Sequence, residues 1–303
     1  MKILNCNFKN VRGIKIITAA FEAVYLAEYG GKLVSLKDLK HNTEWLAQDK
    51  NPKYIPQFIG GNYVDCEVSG ADEMFPTIDL CRCNNVEYPC HGEVCRVPHK
   101  CEISDDTLIM SYKSDLLGYE YKKHISEGEN GAIRCRYGIK NLNSEDFACI
   151  WALHLMFAAE EKGMIFAQFC ENPTVEFMFD DRQTYGKRGT KSKLKKEYLI
   201  SSQYKENGDA YKFYITNPIK TGVCGYYRNS RAGGIRLKYD AEKLPYLGIW
   251  INNGGFKNTH TAAVEPCNIP FDSVTEAKKR GYAFNIKPNE VFSFEISIEK
   301  ADI

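Results

Sequence analysis

Most of this sequence alternates apolar and polar residues with a period of two. Segments 133–140 and 292–299 alternate over their whole length, and Tyr211, Phe213 and Ile215 follow the same spacing. Because successive side chains of a strand point to opposite faces, this period indicates strands with one buried face. Such runs recur along the chain between clusters of Gly, Asn, Pro and Asp. The pattern therefore predicts an all-β fold, a large and mostly antiparallel sandwich.

The chain of 303 residues is long enough for one large all-β domain. It contains no internal repeats, no low-complexity tracts and no linker rich in Pro, Gly and Ser. We therefore expect a single domain over residues 1–303. Helices should be few, and the best candidate covers residues 273–280, with Asp272 as its N-cap and Gly281 beyond its end.

Charge and hydrophobicity argue against several classes of protein. Lys and Arg number 40 and Asp and Glu number 39, so the net charge of +1 gives no reason to expect a nucleic-acid or membrane-surface partner. Disorder is not expected, because 44% of the residues are hydrophobic. No apolar run approaches the roughly 20 residues that span a bilayer. The basic stretch 187–196 is expected to be a solvated loop, with a phosphate-facing loop as the alternative.

The chain has 12 cysteines, and residues 1–10 lack the apolar segment of a signal peptide. The cysteines are therefore expected to be reduced thiols of a cytoplasmic protein. Six of them crowd into one stretch: Cys66, Cys81, Cys83, Cys90, Cys95 and Cys101. Together with His91 and His99 they could supply a structural zinc site. The pairs lack the usual Cys-x₂₋₄-Cys spacing on both sides, however, and a sheet would point alternate members to opposite faces, so small metal-free thiols are the favoured interpretation.

Three isolated titratable residues are the best candidates for chemistry. The sequence has no Gly-x-Ser-x-Gly, Gly-x-Gly-x-x-Gly or His-Glu-x-x-His signature in a suitable context. His91 lies in a turn that should lead into a strand, His154 in an apolar strand-like run, and Glu265 after small apolar residues. A lone histidine on an apolar strand is commonly a hydrogen-bonded core residue. A lone buried glutamate is costlier and therefore favours a function.

The sequence resembles the aldose 1-epimerase (galactose mutarotase-like) family. The matching segments include Gly-Ala-Asp-Glu-Met-Phe-Pro, His-Gly-Glu-Val and Leu-Gly-Ile-Trp-Ile-Asn. In chain order, the matches are residues 29–36, 43–46, 70–78, 91–94, 151–154, 247–252, 264–266 and 287–290. The chain is most similar to a divergent branch with His-Gly-Glu, rather than to the branch with His-Gly-Phe-Ala-Arg. The resemblance implies an antiparallel β-supersandwich with its active site in an open cleft.

The resemblance also implies roles for the three candidates. Mutarotation opens a cyclic hemiacetal and closes it on the other face. One group must take the proton of the anomeric hydroxyl, and another must protonate the ring oxygen. By the resemblance, Glu265 is the base, His154 is the acid at the ring oxygen, and His91 assists there. An imidazole suits this role because its unperturbed pKa of about 6.5 lies near working pH. The reaction needs no metal and no organic cofactor.

Five further residues are expected around the sugar. Asp72 or Glu73 would lie on a rim strand before the Phe-Pro turn. Trp250 would offer a stacking face and Asn252 an amide for sugar hydroxyls. For these four residues, rim solvation, core packing or turn capping is the structural alternative. Arg96 lies five positions after the first candidate histidine, one position later than the functional Arg of a related sugar-phosphate branch, so phosphate recognition stays open.

Three hypotheses follow for the function. The first is a cofactor-independent aldose 1-epimerase-like isomerase that acts on a small-molecule sugar. The second is a non-catalytic carbohydrate-binding protein with the same cleft, and the third is a zinc-stabilised domain. The acid–base residues favour the first hypothesis, because a protein that only binds sugar needs no such pair. The sequence determines neither the sugar, free or phosphorylated, nor the oligomeric state.

Overall fold

The structure is a computed structural model that describes residues 1–202, 208–229 and 233–301. Short strands make up most of these residues. In chain order they are β1 (Lys2–Phe8), β2 (Val11–Ile17), β3 (Phe21–Leu26), β4 (Lys32–Asp38), β5 (Thr43–Glu44), β6 (Ala71–Met74), β7 (Cys81–Cys83), β8 (Val86–Tyr88), β9 (Lys100–Ser104), β10 (Thr107–Ser114), β11 (Tyr119–Glu127), β12 (Ile133–Asn141), β13 (Phe147–Ala148), β14 (Ala152–Ala158), β15 (Met164–Ala167), β16 (Thr174–Asp180), β17 (Lys191–Lys193), β18 (Ala210–Ile215), β19 (Val223–Tyr227), β20 (Gly234–Tyr239), β21 (Tyr246–Asn253), β22 (His260–Cys267), β23 (Asn285–Ile286) and β24 (Val291–Ala301).

Helical structure is scarce, as the sequence predicts. The described residues contain one short α-helix, α1 (Val274–Lys279), and four 3₁₀ turns. The turns cover Tyr63–Asp65, Val94–Arg96, Glu129–Gly131 and Lys196–Leu199. In the part of the chain that the structure describes, no helix has the length and apolar character needed to cross a membrane.

Two large sheets carry the fold. The first has twelve strands in the order β1-β2-β3-β4-β6-β14-β22-β21-β18-β16-β17, with β5 beside β4. The second has eight strands in the order β15-β19-β20-β24-β12-β11-β10-β9. All pairings between the named strands are antiparallel. The prediction of an antiparallel all-β protein is therefore confirmed.

The sheets face each other across one large apolar core. Along β12 the buried residues alternate with less buried ones, as the period-two pattern predicts. In β18, by contrast, all six residues are buried. The expectation of a half-buried strand is wrong there, because the outer face of β18 lies beneath the cleft described below.

The short helix α1 begins at Val274, one residue later than expected. Ser273 is the N-cap, and its hydroxyl accepts a hydrogen bond from the Glu276 amide. The expectation that Asp272 caps this helix is therefore wrong. Its carboxylate instead accepts a hydrogen bond from the Tyr214 hydroxyl at 2.7 Å. Because Ser273 caps the helix, the Asp272 side chain is not needed there and lines the cleft described below.

The basic stretch 187–196 is exposed and includes the edge strand β17, so solvation of its Lys and Arg side chains is confirmed. Arg188 pairs with Asp79 at 3.1 Å and with Glu276 at 2.9 Å. These two carboxylates compensate the one charge of the stretch that reaches the cleft.

Candidate active site

Five adjacent strands in the middle of the twelve-stranded sheet align one row of side chains. Asp72 on β6 pairs with His154 on β14, and the register of β14 with β22 sets His154 opposite Glu265. Glu265 pairs with Gly248 on β21, which pairs with Tyr214 on β18. The row lies on the face that points away from the eight-stranded sheet. The register of the sheet therefore brings together residues that are far apart in the sequence.

A second row, two positions along each strand, is mainly apolar. Met156 pairs with Ala263, Ala263 pairs with Trp250, and Trp250 pairs with Lys212. Lys212 in turn pairs with Phe179 on β16, the next strand of the sheet. The Phe179 ring stacks on Trp250, with the ring centroids 5.7 Å apart. This row gives the site an aromatic wall with one cation set into it.

A cleft of about 290 Å³ opens over these two rows. Most of its walls are apolar, and they include Met74, Met156, Met178, Trp250 and Phe256. The titratable groups that line it are Tyr63, His91, His154, Lys212, Asp272, Asp79 and Arg188. A concave, mostly apolar site with a few converging polar groups is the usual form of a small-molecule site.

His154 lines the floor of this cleft, and Glu265 lies directly behind it. The imidazole Nε2 of His154 is 3.5 Å from Oε1 of Glu265. Lys212 places its Nζ 2.9 Å from Oε2 of Glu265, an ion-pair distance at an angle outside hydrogen-bond geometry. The Glu265 side chain is 0% exposed, and it lies behind His154 and Lys212 rather than on the cleft wall. The Nδ1 atom of His154 is also buried without a hydrogen-bond partner.

The surroundings shift the protonation of both histidines toward the neutral form. Burial is the largest cause that lowers the pKa of His154; Glu265 opposes the shift and Lys212 adds to it. Burial, with Lys212 and His154 nearby, lowers the pKa of His91 well below its usual value. For Lys212, burial disfavours the ammonium, but Asp272 and Glu265 outweigh burial and raise its pKa. At neutral pH the cleft therefore holds a lysine cation between carboxylates, beside two mainly neutral imidazoles.

Lys212, Asp272 and Tyr214 are site residues that the sequence reasoning missed. Lys212 Nζ is 2.8 Å from Oδ1 of Asp272, and the same oxygen accepts the Tyr214 hydroxyl. A signal did exist, because Lys212 is the one charged residue among the alternating aromatic and aliphatic residues 211–215. A cation in a strand buried on both faces requires a paired carboxylate nearby.

His91 lies at the cleft wall in a sharp turn. His91 and Gly92 have positive φ angles of 60° and 74°, and a Cβ on Gly92 would clash with the carbonyl oxygen of Phe75. The turn leads into the 3₁₀ turn Val94–Arg96, so the expected strand after it is wrong. The His91 ring stacks on Tyr63 with centroids 3.6 Å apart and planes 3° apart. Its Nδ1 lies 3.0 Å from the Cys90 thiol sulphur.

Asp72 and Glu73 point to opposite faces of β6. The expected rim position is wrong, because β6 lies between β4 and β14 in the middle of the sheet. Asp72 lies beside His154 but is 2% exposed, with its Oδ2 shared by Lys32, Gln57 and Tyr63. Glu73 faces the core between the two sheets and therefore lies outside the cleft.

The other three expected contact residues have different positions. Trp250 lines the cleft and donates its indole N–H to Thr261 at 3.2 Å. Asn252 also lines the cleft, but its amide nitrogen already donates to Phe256 O and Thr259 Oγ1. Its side chain therefore organises the turn after β21.

Arg96 lies behind the cleft wall. Its guanidinium donates to the carbonyl oxygens of Phe58 and Gly61 and lies 5.9 Å from the centre of the Tyr63 ring. Because Tyr63 stacks on His91, Arg96 supports this wall from outside.

The cysteines of the described residues are not clustered with other potential metal ligands. Over residues 1–202, 208–229 and 233–301, no three His, Cys, Asp or Glu side chains converge in a way that would hold a metal ion. All twelve cysteines are free thiols. Cys81 and Cys83 lie on the same short strand, and Cys83 is buried while Cys101 is exposed on β9. The thiols of the crowded stretch thus serve different parts of the fold.

Comparison with known proteins places the fold. No family model and no curated protein matches the sequence. A candidate aldose 1-epimerase from Klebsiella pneumoniae is 13% identical, with a TM-score of 0.74 over 98% of this chain and 82% of that chain. A galactose mutarotase-like protein from Clostridium acetobutylicum is 15% identical, with a TM-score of 0.65 over 100% and 99%. One from Lactobacillus casei is 16% identical, with a TM-score of 0.67 over 95% and 99%.

These similarities confirm the predicted galactose mutarotase-like β-supersandwich. At such low identities the likeness shows the fold alone, since one fold can host many functions. The similarity to the His-Gly-Glu branch stays a prediction.

Proposed function

We propose that the protein interconverts the α and β anomers of an aldose or related sugar by acid–base ring opening and closure, without a cofactor. One observation carries this proposal. A carboxylate and an imidazole, those of Glu265 and His154, lie 3.5 Å apart on central strands, with His154 on the lining of a cleft of small-molecule size and Glu265 directly behind it. Mutarotation needs two such groups near one sugar ring. The names of the structural neighbours agree with this chemistry.

The proposed reaction moves two protons. Glu265 takes the proton of the anomeric hydroxyl while His154 gives one to the ring oxygen, so that the ring bond to the anomeric carbon breaks. After rotation of the aldehyde the two transfers reverse, and His91 assists near the ring oxygen. The donor form of His154 is the imidazolium, and burial and Lys212 lower its pKa. Exchange should therefore speed up as the pH falls from 8 to 6.

A second candidate function is carbohydrate binding without catalysis. The observation that favours it is the burial of Glu265, whose side chain is 0% exposed and lies 2.9 Å from an ammonium group. A carboxylate in that position resembles one half of a structural ion pair. The same cleft would then hold a sugar that the protein leaves unchanged.

Saturation-transfer NMR over a panel of reducing sugars separates the two functions, because it measures anomer exchange directly. We expect the wild type to exchange at least one sugar. Glu265→Gln and His154→Asn should each slow exchange by about 10²–10⁴-fold while sugar binding persists, and His91→Asn should lose less. Asp146→Asn is the control, since this exposed residue pairs with Lys287.

An unchanged exchange rate in Glu265→Gln would show that the acid–base assignment is wrong. Binding of a sugar by the wild type without exchange of any sugar in the panel would favour the binding protein.

A further inference from the structure

Two carboxylates line the cleft, those of Asp272 and Asp79, and the carboxylate beside Lys212 on the lining is Asp272 rather than Glu265. Asp79 is paired with Arg188 at 3.1 Å. Asp272 lines the cleft, whereas Glu265 lies behind the wall with no exposed surface. All contacts that described residues make with the Asp272 carboxylate fall on Oδ1, which lies near Lys212 Nζ and accepts the Tyr214 hydroxyl. Oδ2 is left with its capacity to accept hydrogen bonds, and a carboxylate oxygen in a cleft seeks a donor.

Lys212 stands beside this oxygen with a donor to spare. An ammonium group carries three N–H donors. The Nζ atom of Lys212 lies at ion-pair distance from two carboxylates, 2.9 Å from that of Glu265 and 2.8 Å from that of Asp272. Even if each carboxylate took one N–H, one donor would remain. Lys212 also lines the cleft, so the third donor is available to a bound molecule.

We propose that Asp272 and Lys212 form a hydroxyl-recognition pair. A ligand hydroxyl donates its hydrogen to Asp272 Oδ2, and its oxygen accepts a hydrogen bond from Lys212 Nζ. A hydroxyl is both donor and acceptor, so it satisfies both groups at once. This inference rests on the proposed function, because it names the contact that would position the sugar above His154 and Glu265.

The charges around the pair suit a neutral hydroxyl better than an anion. Lys212 is compensated by Asp272 and Glu265, and Arg188 by Asp79 and Glu276. The remaining titratable groups that line the cleft are the two mainly neutral histidines and Tyr63, whose pKa burial raises so that it stays neutral. An anionic group would meet more carboxylate than uncompensated cation, and its desolvation would cost free energy.

The aromatic wall completes this description. Trp250 and Phe179 stack on each other next to Lys212 in the second row. A sugar ring has an apolar C–H face and an edge of hydroxyls. With the face on the aromatic wall, the edge is directed toward Asp272 and Lys212. Asp272 is thus a substrate-contacting residue, and Lys212 connects it to Glu265.

The test is a thermodynamic cycle in which the Asp272 carboxylate and one sugar hydroxyl are removed singly and together, so that their coupling in binding can be measured. Equilibrium binding of D-glucose, D-galactose and their monodeoxy analogues is measured by NMR titration for the wild type, Asp272→Asn and Asp146→Asn. The wild type should lose about tenfold in affinity for the analogue that lacks the recognised hydroxyl. Asp272→Asn should bind the parent sugar more weakly but lose less than twofold on the same deletion. Asp146→Asn, in an exposed ion pair, should behave like the wild type.

If Asp272→Asn does not fold, Asp272→Glu replaces it, because the longer acid keeps the charge beside Lys212 and displaces the acceptor. The proposal is overturned if removal of each sugar hydroxyl lowers the affinity of the variant by the same factor as that of the wild type. It is also overturned if none of these sugars binds the wild type. A cycle with the expected coupling but no anomer exchange would leave this pair supported and would count against the proposed isomerase. Tighter binding of a sugar 6-phosphate than of the parent sugar would contradict the neutral hydroxyl.

Discussion

The two faces of strand β6 and its neighbours each hold a buried lysine–glutamate pair, and the pairs differ in how fully they are bonded. On the core side, Glu73 accepts hydrogen bonds on both oxygens, from Lys123, Tyr121 and Tyr137, all at 2.8–2.9 Å. Lys123 also donates to the carbonyl oxygen of Gly31. This cluster, which we call the core pair, leaves no capacity for a further partner.

On the cleft side, Glu265 has neither oxygen in a hydrogen bond of good geometry. Its contacts are the Lys212 ammonium at 2.9 Å and the His154 imidazole at 3.5 Å. This cleft pair is buried as deeply as the core pair but is incompletely bonded. A buried carboxylate that is incompletely hydrogen-bonded is costly, which supports the proposal that this pair has a role outside folding. Burial of charge is similar in the two pairs, and we propose that the completeness of bonding separates the structural pair from the functional one.

The largest expected effect on stability comes from breaking the core pair. Lys123→Met leaves the Glu73 carboxylate buried without its cation, which typically costs about 3–5 kcal/mol of unfolding free energy. Urea denaturation of wild type and variant measures this loss. Lys238→Met is the matched control, because this half-exposed lysine pairs with Glu299 and should cost less than about 1 kcal/mol. Equal losses in the two variants would show that the core pair is not structural.

A smaller effect is expected from crowding the cleft pair. A Cβ added at Gly248 would lie 2.8 Å from Cε1 of Tyr214 and 3.0 Å from Cβ of Glu265. Gly248→Ala should therefore cost about 1–3 kcal/mol of unfolding free energy and displace Glu265 from His154. Gly138→Ala on β12 is the control, since its Cβ would meet only Val291 at 3.6 Å. If both variants unfold at the same urea concentration as the wild type, the close packing around Glu265 is not as described.

The smallest effect is a pH dependence on the core side. Burial, with Lys123 nearby, lowers the pKa of His99 to about 3. The unfolded chain takes up a proton near pH 6.5, whereas the folded protein does so only near pH 3. Stability is therefore complete above pH 6.5 and falls as the pH decreases below it, by up to about 1.4 kcal/mol per pH unit. His99→Gln should flatten this slope between pH 6.5 and 5.5 in urea titrations, and an unaltered slope would contradict the argument.

The sequence predicts the fold well because the relevant signal is local. The alternation in β12 and β24 is a property of consecutive residues, and it indicates strands without knowledge of their partners. Register is not local. Asp72 and Glu73 are adjacent in the sequence, yet one faces the cleft and the other the core, and the choice between them depends on how β6 pairs with β14.

The site was predictable only where a residue is unusual in its own segment. His154 and Glu265 are lone titratable groups among apolar neighbours; His154 lines the cleft, and Glu265 lies directly behind it. Lys212 is likewise the one charged residue among apolar and aromatic neighbours, but the segment 211–215 was interpreted only as a strand. Asp272 gave a misleading signal, because it precedes a helix that Ser273 caps. Its role depends on Lys212 and Tyr214, which are about 60 residues away along the chain.

The most direct test compares one conservative change in each pair. Anomer exchange per folded molecule and unfolding free energy are measured for Glu265→Gln and Glu73→Gln. We expect Glu265→Gln to lose exchange by at least about 100-fold, as for the loss of a general base. We expect Glu73→Gln to keep wild-type exchange while losing several kcal/mol of stability, about 3–5 for a broken buried pair. Loss of exchange in Glu73→Gln, with Glu265→Gln unchanged, would contradict the assignment of the cleft pair to function and the core pair to folding.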